Sequence, residues 1–364
     1  KVGADFEAGM SKVSAISGAT GDELSKLTEK AKEMGAKTKF SATEASEAFQ
    51  YMAMAGWKTE DMLSGIDGIM NLAAASGESL AKTSDIVTDA LTAFGMAASD
   101  SSHFADVLAK ASSNSNTNVA MMGETFKYVA PVAGALKFSV EDCAVAIGLM
   151  ANSGIKASQA GTSMRQLFTN LVKPTDAMAQ AMEDLGISMT DAEGKTKSLD
   201  TLMGDLRQSF SGLSEAQKAQ YAATLAGQEG MSGLLAIVNA SDADFNALKT
   251  SIYNADGAAE QMADTMNDNL KGSLTIAGSA LEGFGIAIYE KIQTPLKKAV
   301  DAGTEDINRL SKAFQSGGLN AVVAEAGEIF NDTADEIAGM SDEAAGVVRP
   351  IQEIVNVGGK LAKT

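Results

Sequence analysis

The side chains able to do chemistry are few in this chain, and their spacing does not build a reaction centre. His103 is the single histidine. A zinc site with several imidazoles is therefore impossible within one chain, and a histidine-dependent triad would have to use His103 as its base. Its setting, Ser101-Ser102-His103-Phe104-Ala105-Asp106, reads as a helix start. Ser153-Gly154-Ile155-Lys156 has the Ser-x-x-Lys spacing of serine acyltransferases, but no Ser-Asp-Asn or Lys-Thr-Gly follows it. Asn267-Asp268-Asn269-Leu270-Lys271-Gly272 has the outline of a calcium loop, yet Lys271 stands where an oxygen donor is needed. Adjacent acids such as Glu60-Asp61 and Glu183-Asp184 belong to solvated helix faces, and no glycine-rich loop carries a phosphate-binding Lys-Ser/Thr. The expectation is no enzyme: no catalytic residue, no metal and no cofactor.

Three further features have a packing reading and a functional one. Ser112-Ser113-Asn114-Ser115-Asn116-Thr117-Asn118 is a polar loop whose Asn and Ser side chains can cap neighbouring helices, or a functional loop. Trp57, after Gly56, packs its indole on the adjacent helix or meets a partner. Cys143 is the single cysteine, so no intrachain disulfide forms. It reads as a small buried apolar residue, and assembly in the cytosol follows as the natural inference.

Composition narrows the partners. With 47 acidic residues against 29 basic, the net charge is −18. Nucleic acid binding depends on neutralising phosphates, so direct nucleic-acid contact is disfavoured, as is docking on an anionic lipid surface. Apolar residues make up 45%, too many for intrinsic disorder, while aromatics are only 5% and Met reaches 19. The core must be built from Ala, Leu, Ile, Val and Met, and Met adapts to changed packing partners. The chain opens on Lys1, which points to a segment of something longer; no signal peptide is visible. The most apolar window, Leu274 to Tyr289, carries Glu282 and falls short of the ~20 residues a bilayer requires.

The elements that hold these residues are helices. Ser41 with Glu44, Ser139 with Asp142 and Ser214 with Gln217 fit capping boxes or the Asp variant. Gly18, Gly35, Gly56, Gly77, Gly95, Gly154 and Gly186 fall where helices should stop. Pro174 should lie in the first turn of a new helix, and Pro295 should kink or end another. Ile187 to Lys197 alternates apolar with polar around Glu193-Gly194 and predicts a small β-hairpin. The fold class is all-α: short capped helices form a module with that one hairpin, followed by longer rod-like or coiled-coil helix. Expected boundaries are a helical lead-in over 1–21, a core module over 22–255 and a long helical region over 256–364. No fixed-period repeat is visible.

In the last region Leu270, Leu274, Ala277, Leu281, Phe284 and Ile288 follow a 4-3-4-3-4 spacing, the seam of a coiled coil. Ser279, Gly283 and Ala287 make a small-residue stripe on another face, which permits close helix approach. Amphipathic helices are expected over Ala299 to Phe314 and Asn320 to Ala338, hinged at Gly317-Gly318. The seam is the candidate site, with self-association into a trimer as its expected use.

Certain words of the sequence carry a resemblance. They are Phe40-Ser41-Ala42-Thr43-Glu44-Ala45, Tyr51-Met52-Ala53-Met54-Ala55-Gly56-Trp57 and Asp85-Ile86-Val87-Thr88-Asp89-Ala90-Leu91-Thr92-Ala93-Phe94-Gly95. Gly123-Glu124-Thr125-Phe126-Lys127-Tyr128-Val129-Ala130-Pro131 and Gly148-Leu149-Met150-Ala151-Asn152-Ser153-Gly154-Ile155-Lys156 continue the series. In this order they resemble the tape-measure proteins of long-tailed bacteriophages and tail-like particles, most strongly from Leu24 to Ser251. The resemblance implies a structural virion protein in the lumen of the tail tube, assembled in the bacterial host cytoplasm. It would set tail length and be ejected ahead of the DNA. Implied partners are the tail tube protein, baseplate or tip proteins and assembly chaperones. The alternative is an ejected protein that rearranges into a channel or membrane-associated assembly, with host membrane contact; peptidoglycan hydrolysis is a third.

Overall fold

A computed structural model describes residues 1–338. Its elements are α1 (Val2–Ser17), α2 (Gly21–Lys37), α3 (Ala42–Met54), α4 (Thr59–Ser76), α5 (Leu80–Phe94), a 3-10 turn (Ala98–Asp100), α6 (Ser101–Asn114) and α7 (Val119–Ala135). There follow α8 (Val140–Asn152), α9 (Ala157–Val172), α10 (Asp176–Asp184), α11 (Leu199–Ser211), α12 (Glu215–Val238), α13 (Asp242–Tyr253), α14 (Ala258–Asn267) and α15 (Leu270–Ala338).

Local chemistry sets most of the boundaries. Ser41 Oγ accepts from the Glu44 amide while the Ser41 amide donates to Glu44 Oε2, closing a full capping box at α3. Ser214 and Gln217 form the same reciprocal pair at α12. Ser79, Asn118, Thr175, Ser198 and Ser241 each accept from the amide three residues on, at α5, α7, α10, α11 and α13. At the other ends, Gly77 closes α4 with φ 73°, a left-handed conformation that costs a residue with a Cβ.

Several expectations need correction. The predicted hairpin does not form: among the described residues there is no strand, and 187–197 contributes a single antiparallel bridge, Thr190 to Thr196. Asp191 accounts for this, because its Oδ1 accepts from the Glu193 and Lys195 amides and winds the segment into a tight turn. Gly35 does not stop a helix. It lies inside α2, where a Cβ would come within 2.6 Å of the Ala42 amide nitrogen, so the glycine lets the start of α3 pack close. Pro174 precedes α10 rather than entering its first turn, since Thr175 is the cap. The Ser139–Asp142 box is half formed: Ser139 Oγ accepts from the Asp142 amide, but the Asp142 carboxylate is engaged elsewhere. Pro295 does not end a helix, since α15 continues past it.

The sequence shows no repeat, yet the packing has one. Each helix from α1 to α7 packs on the helix two places along: α1, α3, α5, α7 and α9 form one row, and α2, α4, α6 and α8 the other. Helix α12 continues the first row on α9 after the excursion through α10 and α11. Between the rows Phe126 sits with ring centroids 5.8 Å from Phe94 and 5.6 Å from Phe104, both edge-on, stitching α7 to α5 and α6. Otherwise the core is largely Ala, Leu, Ile and Met, with Met52, Met62 and Ile66 fully buried.

The chain divides into two compact units, Lys1–Gly285 and a second that begins at Ile286. Within the second, Arg309 Nε meets Glu325 Oε1 at 2.7 Å. A straight helix would separate residues sixteen apart by about 24 Å, so the chain turns back between them. Gly317-Gly318 lies in that interval. The expected amphipathic stretch to Ala338 ends at the limit of description, and residues 339–364 of the expected long helical region lie outside the described residues.

Candidate functional site

The seam is built on the first turns of α15. Asn269 Oδ1 accepts from the Gly272 amide and Asn269 Nδ2 donates to the Met266 carbonyl, so the calcium-like segment is a helix cap. One face of the helix then turns inward. Ser279 is buried, its hydroxyl donating to the Lys39 carbonyl at 2.9 Å, and Glu282 Oε1 accepts from the Thr43 amide at 3.2 Å. The small-residue stripe thus begins on the packed face.

The opposite face carries the seam into solvent. Leu270 is 77% exposed, Leu274 64%, Leu281 71% and Phe284 66%, and Ala277 between them is exposed too. Ile288, in the second unit, is also exposed. Large apolar side chains left out of a core at heptad spacing are unusual on a monomer. Flanking the seam beyond Lys271 are Ser273, Gly278 and Ala280, small and uncharged, which lets another helix approach closely.

The other candidates do not converge. His103 Nε2 lies 2.7 Å from Glu141 Oε1, a hydrogen bond across α6 and α8 with His103 partly open to solvent. Ser153 closes α8 and Lys156 precedes α9 on either side of the Gly154 turn, with no hydrogen bond between their side chains. The polar run 112–118 does capping: Asn118 Oδ1 accepts from Met121, and the Asn116 amide donates to Asn152 Oδ1. Trp57 is buried against Gly65, where a Cβ would overlap the indole. Burial, then the Asp142 and Glu141 charges, pushes the Cys143 thiol well above its usual range and leaves it unreactive. Among the described residues no group of three His, Cys, Asp or Glu is placed to hold a metal.

One polar cluster escaped the sequence reading. Asp142, nearly fully buried, accepts from the Tyr253 hydroxyl and from the Asp200 amide, and Asp200 pairs with Lys249 at 2.6 Å. Burial, then the Asp142 hydrogen bond, raises the Tyr253 phenol above its usual value. These residues lie 58 and 111 positions from Asp142, so no local pattern could have paired them.

A model of the family described as phage-related minor tail protein matches residues 28–227. The chain belongs to that family. Over 305 residues it is 39% identical to the tape measure protein of Pneumococcus phage Dp-1, covering 84% of this chain and 26% of that protein. Over 318 residues it is 26% identical to the probable tape measure protein of Escherichia phage P2, covering 86% of this chain and 39% of that one. The chain therefore spans well under half the length of these relatives. No solved structure matches it. The names support a structural role in a phage tail.

Proposed function

We propose that this chain is the core segment of a tape measure protein that lies in the tail tube, sets tail length during assembly and leaves ahead of the DNA. Family membership supports the tail assignment, and the exposed heptad face of α15 is the observation that carries an assembly role. On this reading the face meets the same face of further copies, three in all, because the seam is self-complementary and its flanks beyond Lys271 are small and uncharged. Tube, tip and chaperone proteins are the remaining partners. The chain acts by structure, not catalysis. Its negative charge keeps it from binding the DNA it precedes. A membrane channel is the weaker reading, since no helix among the described residues is long and apolar enough to cross a membrane.

Deletions in the full-length protein test the ruler. If the removed sequence is stretched as helix, losing about 40 residues shortens the tail by roughly 60 Å. We expect that scaling to fail for a cut within residues 41–173, where the layered packing shortens end-to-end reach, and to hold better after 256. Electron microscopy of tails from one deletion in each region decides it. Equal, proportional shortening from both would mean that the module is drawn out as rod.

A further inference from the structure

After α12 the chain runs back along the second row. Helix α13 packs on α8 and α6, α14 packs on α6 and α4, and the first turns of α15 reach the junction of α2 and α3. The three pieces are fastened differently. Helix α13 buries Phe245, Leu248 and Ile252. Helix α14 buries only Ala258, Ala259 and Ala263, whose side chains remove little apolar surface from water. The α15 root is held by hydrogen bonds, Ser279 to the Lys39 carbonyl and the Thr43 amide to Glu282, with Ile276 only partly covered.

Polar clasps stand in for the missing apolar contact. Asp106 on α6 accepts from the Gly257 and Ala259 amides, both at 2.8 Å, and so satisfies two of the unpaired donors at the start of α14. At the far end Glu282 accepts from an amide at the start of α3. A cleft of about 380 Å³ remains beneath, lined by Lys39, Met70, Ala74, Ala263, Asn267 and Ile276. Packing there is incomplete.

We infer that residues 258–285 form a strap that opens as a unit while the two rows stay folded, with Asp106 and Glu282 as its clasps. The free energy of such an opening is set by the surface it uncovers, which is small here, and not by the stability of the rows. Opening frees the root of α15 from the body without disturbing α13. This holds whether or not the exposed seam meets another copy.

Hydrogen exchange followed by mass spectrometry on the 364-residue chain tests it. In the wild type, amides of 258–285 should exchange about ten-fold or more faster than those of α8 and α9. Their rates should depend weakly on added urea, because little surface is exposed. Asp106→Ala should speed exchange in 258–285 by a further factor of about ten and leave α8 and α9 unchanged. Glu282→Ala should do so at the α15 root. Lys26→Ala, which removes an exposed pair with Glu60 on α4, should change nothing in the strap. Equal rates and equal urea dependence in the strap and in α8 of the wild type would overturn the inference, even if Asp106→Ala failed to fold. So would an Asp106→Ala effect spread evenly over the chain.

Discussion

Tyr253 donates its hydroxyl to Oδ1 of Asp142, tying the end of α13 to the first turn of α8 across 111 residues of sequence. The carboxylate is nearly fully buried and has its other oxygen on the Asp200 amide, so the phenol completes its hydrogen bonding. Tyr253→Phe should lower stability by about 1–2 kcal/mol, toward the low end because the phenol is half exposed. Chemical denaturation of both proteins at neutral pH measures it.

The same contact gives an alkaline signature. Because the phenol's value is raised above its ordinary 10.0, the folded chain holds that proton more tightly than the unfolded one. The contribution is whole below the unfolded value and is lost as pH rises toward the folded one. Between pH 9 and 11 the wild type should lose more stability than Tyr253→Phe. Identical declines in the two proteins would show that the phenol is not coupled to folding.

Leu281→Asp places a charge in the centre of the exposed seam, where the wild-type side chain is 71% open to solvent. The monomer fold should survive, since no core contact is lost. Mass measured by light scattering should fall to that of one chain, against about three for the wild type. A monomeric wild type would remove the seam from the assembly reading.

Gly227 interrupts α12 at φ 71° and ψ 174°, a conformation that side chains with a Cβ avoid. Helix α9 supports the break, with Asn170 Nδ2 donating to the Leu225 carbonyl and Ser163 Oγ to the Glu229 carbonyl. Gly227→Ala should cost about 1–3 kcal/mol. Gly204→Ala, in the exposed interior of α11 with open space around it, should stabilise by roughly 0.5–1 kcal/mol. Thermal melts of the two variants should move in opposite directions.

Phe126 touches the rings of both Phe94 and Phe104 and is 1% exposed. Phe126→Ala should cost about 3–5 kcal/mol through the cavity it leaves between the rows. Denaturation midpoints report it, with the slope unchanged if both states keep their surface.

What the sequence determined alone is the local grammar. Ser41 and Glu44, or Ser214 and Gln217, find each other three residues apart, so composition and spacing suffice to start a helix. The family words were legible for a similar reason, as ordered runs along the chain. Tertiary structure decided what contacts between distant residues decide. Gly35 looks like a stop until Ala42 is seen packed against it, and the alternating 187–197 reads as a hairpin until Asp191 claims the amides a strand would need. Asp142 looks like half a capping box, but its carboxylate goes to Tyr253 and Asp200. The heptad at Leu270 to Phe284 was visible as a pattern; only the packing of Ser279 and Glu282 on the opposite face determined which side of that helix remains open to solvent. Periodicity names a helix's faces, but a neighbour must be in place before one of them is buried.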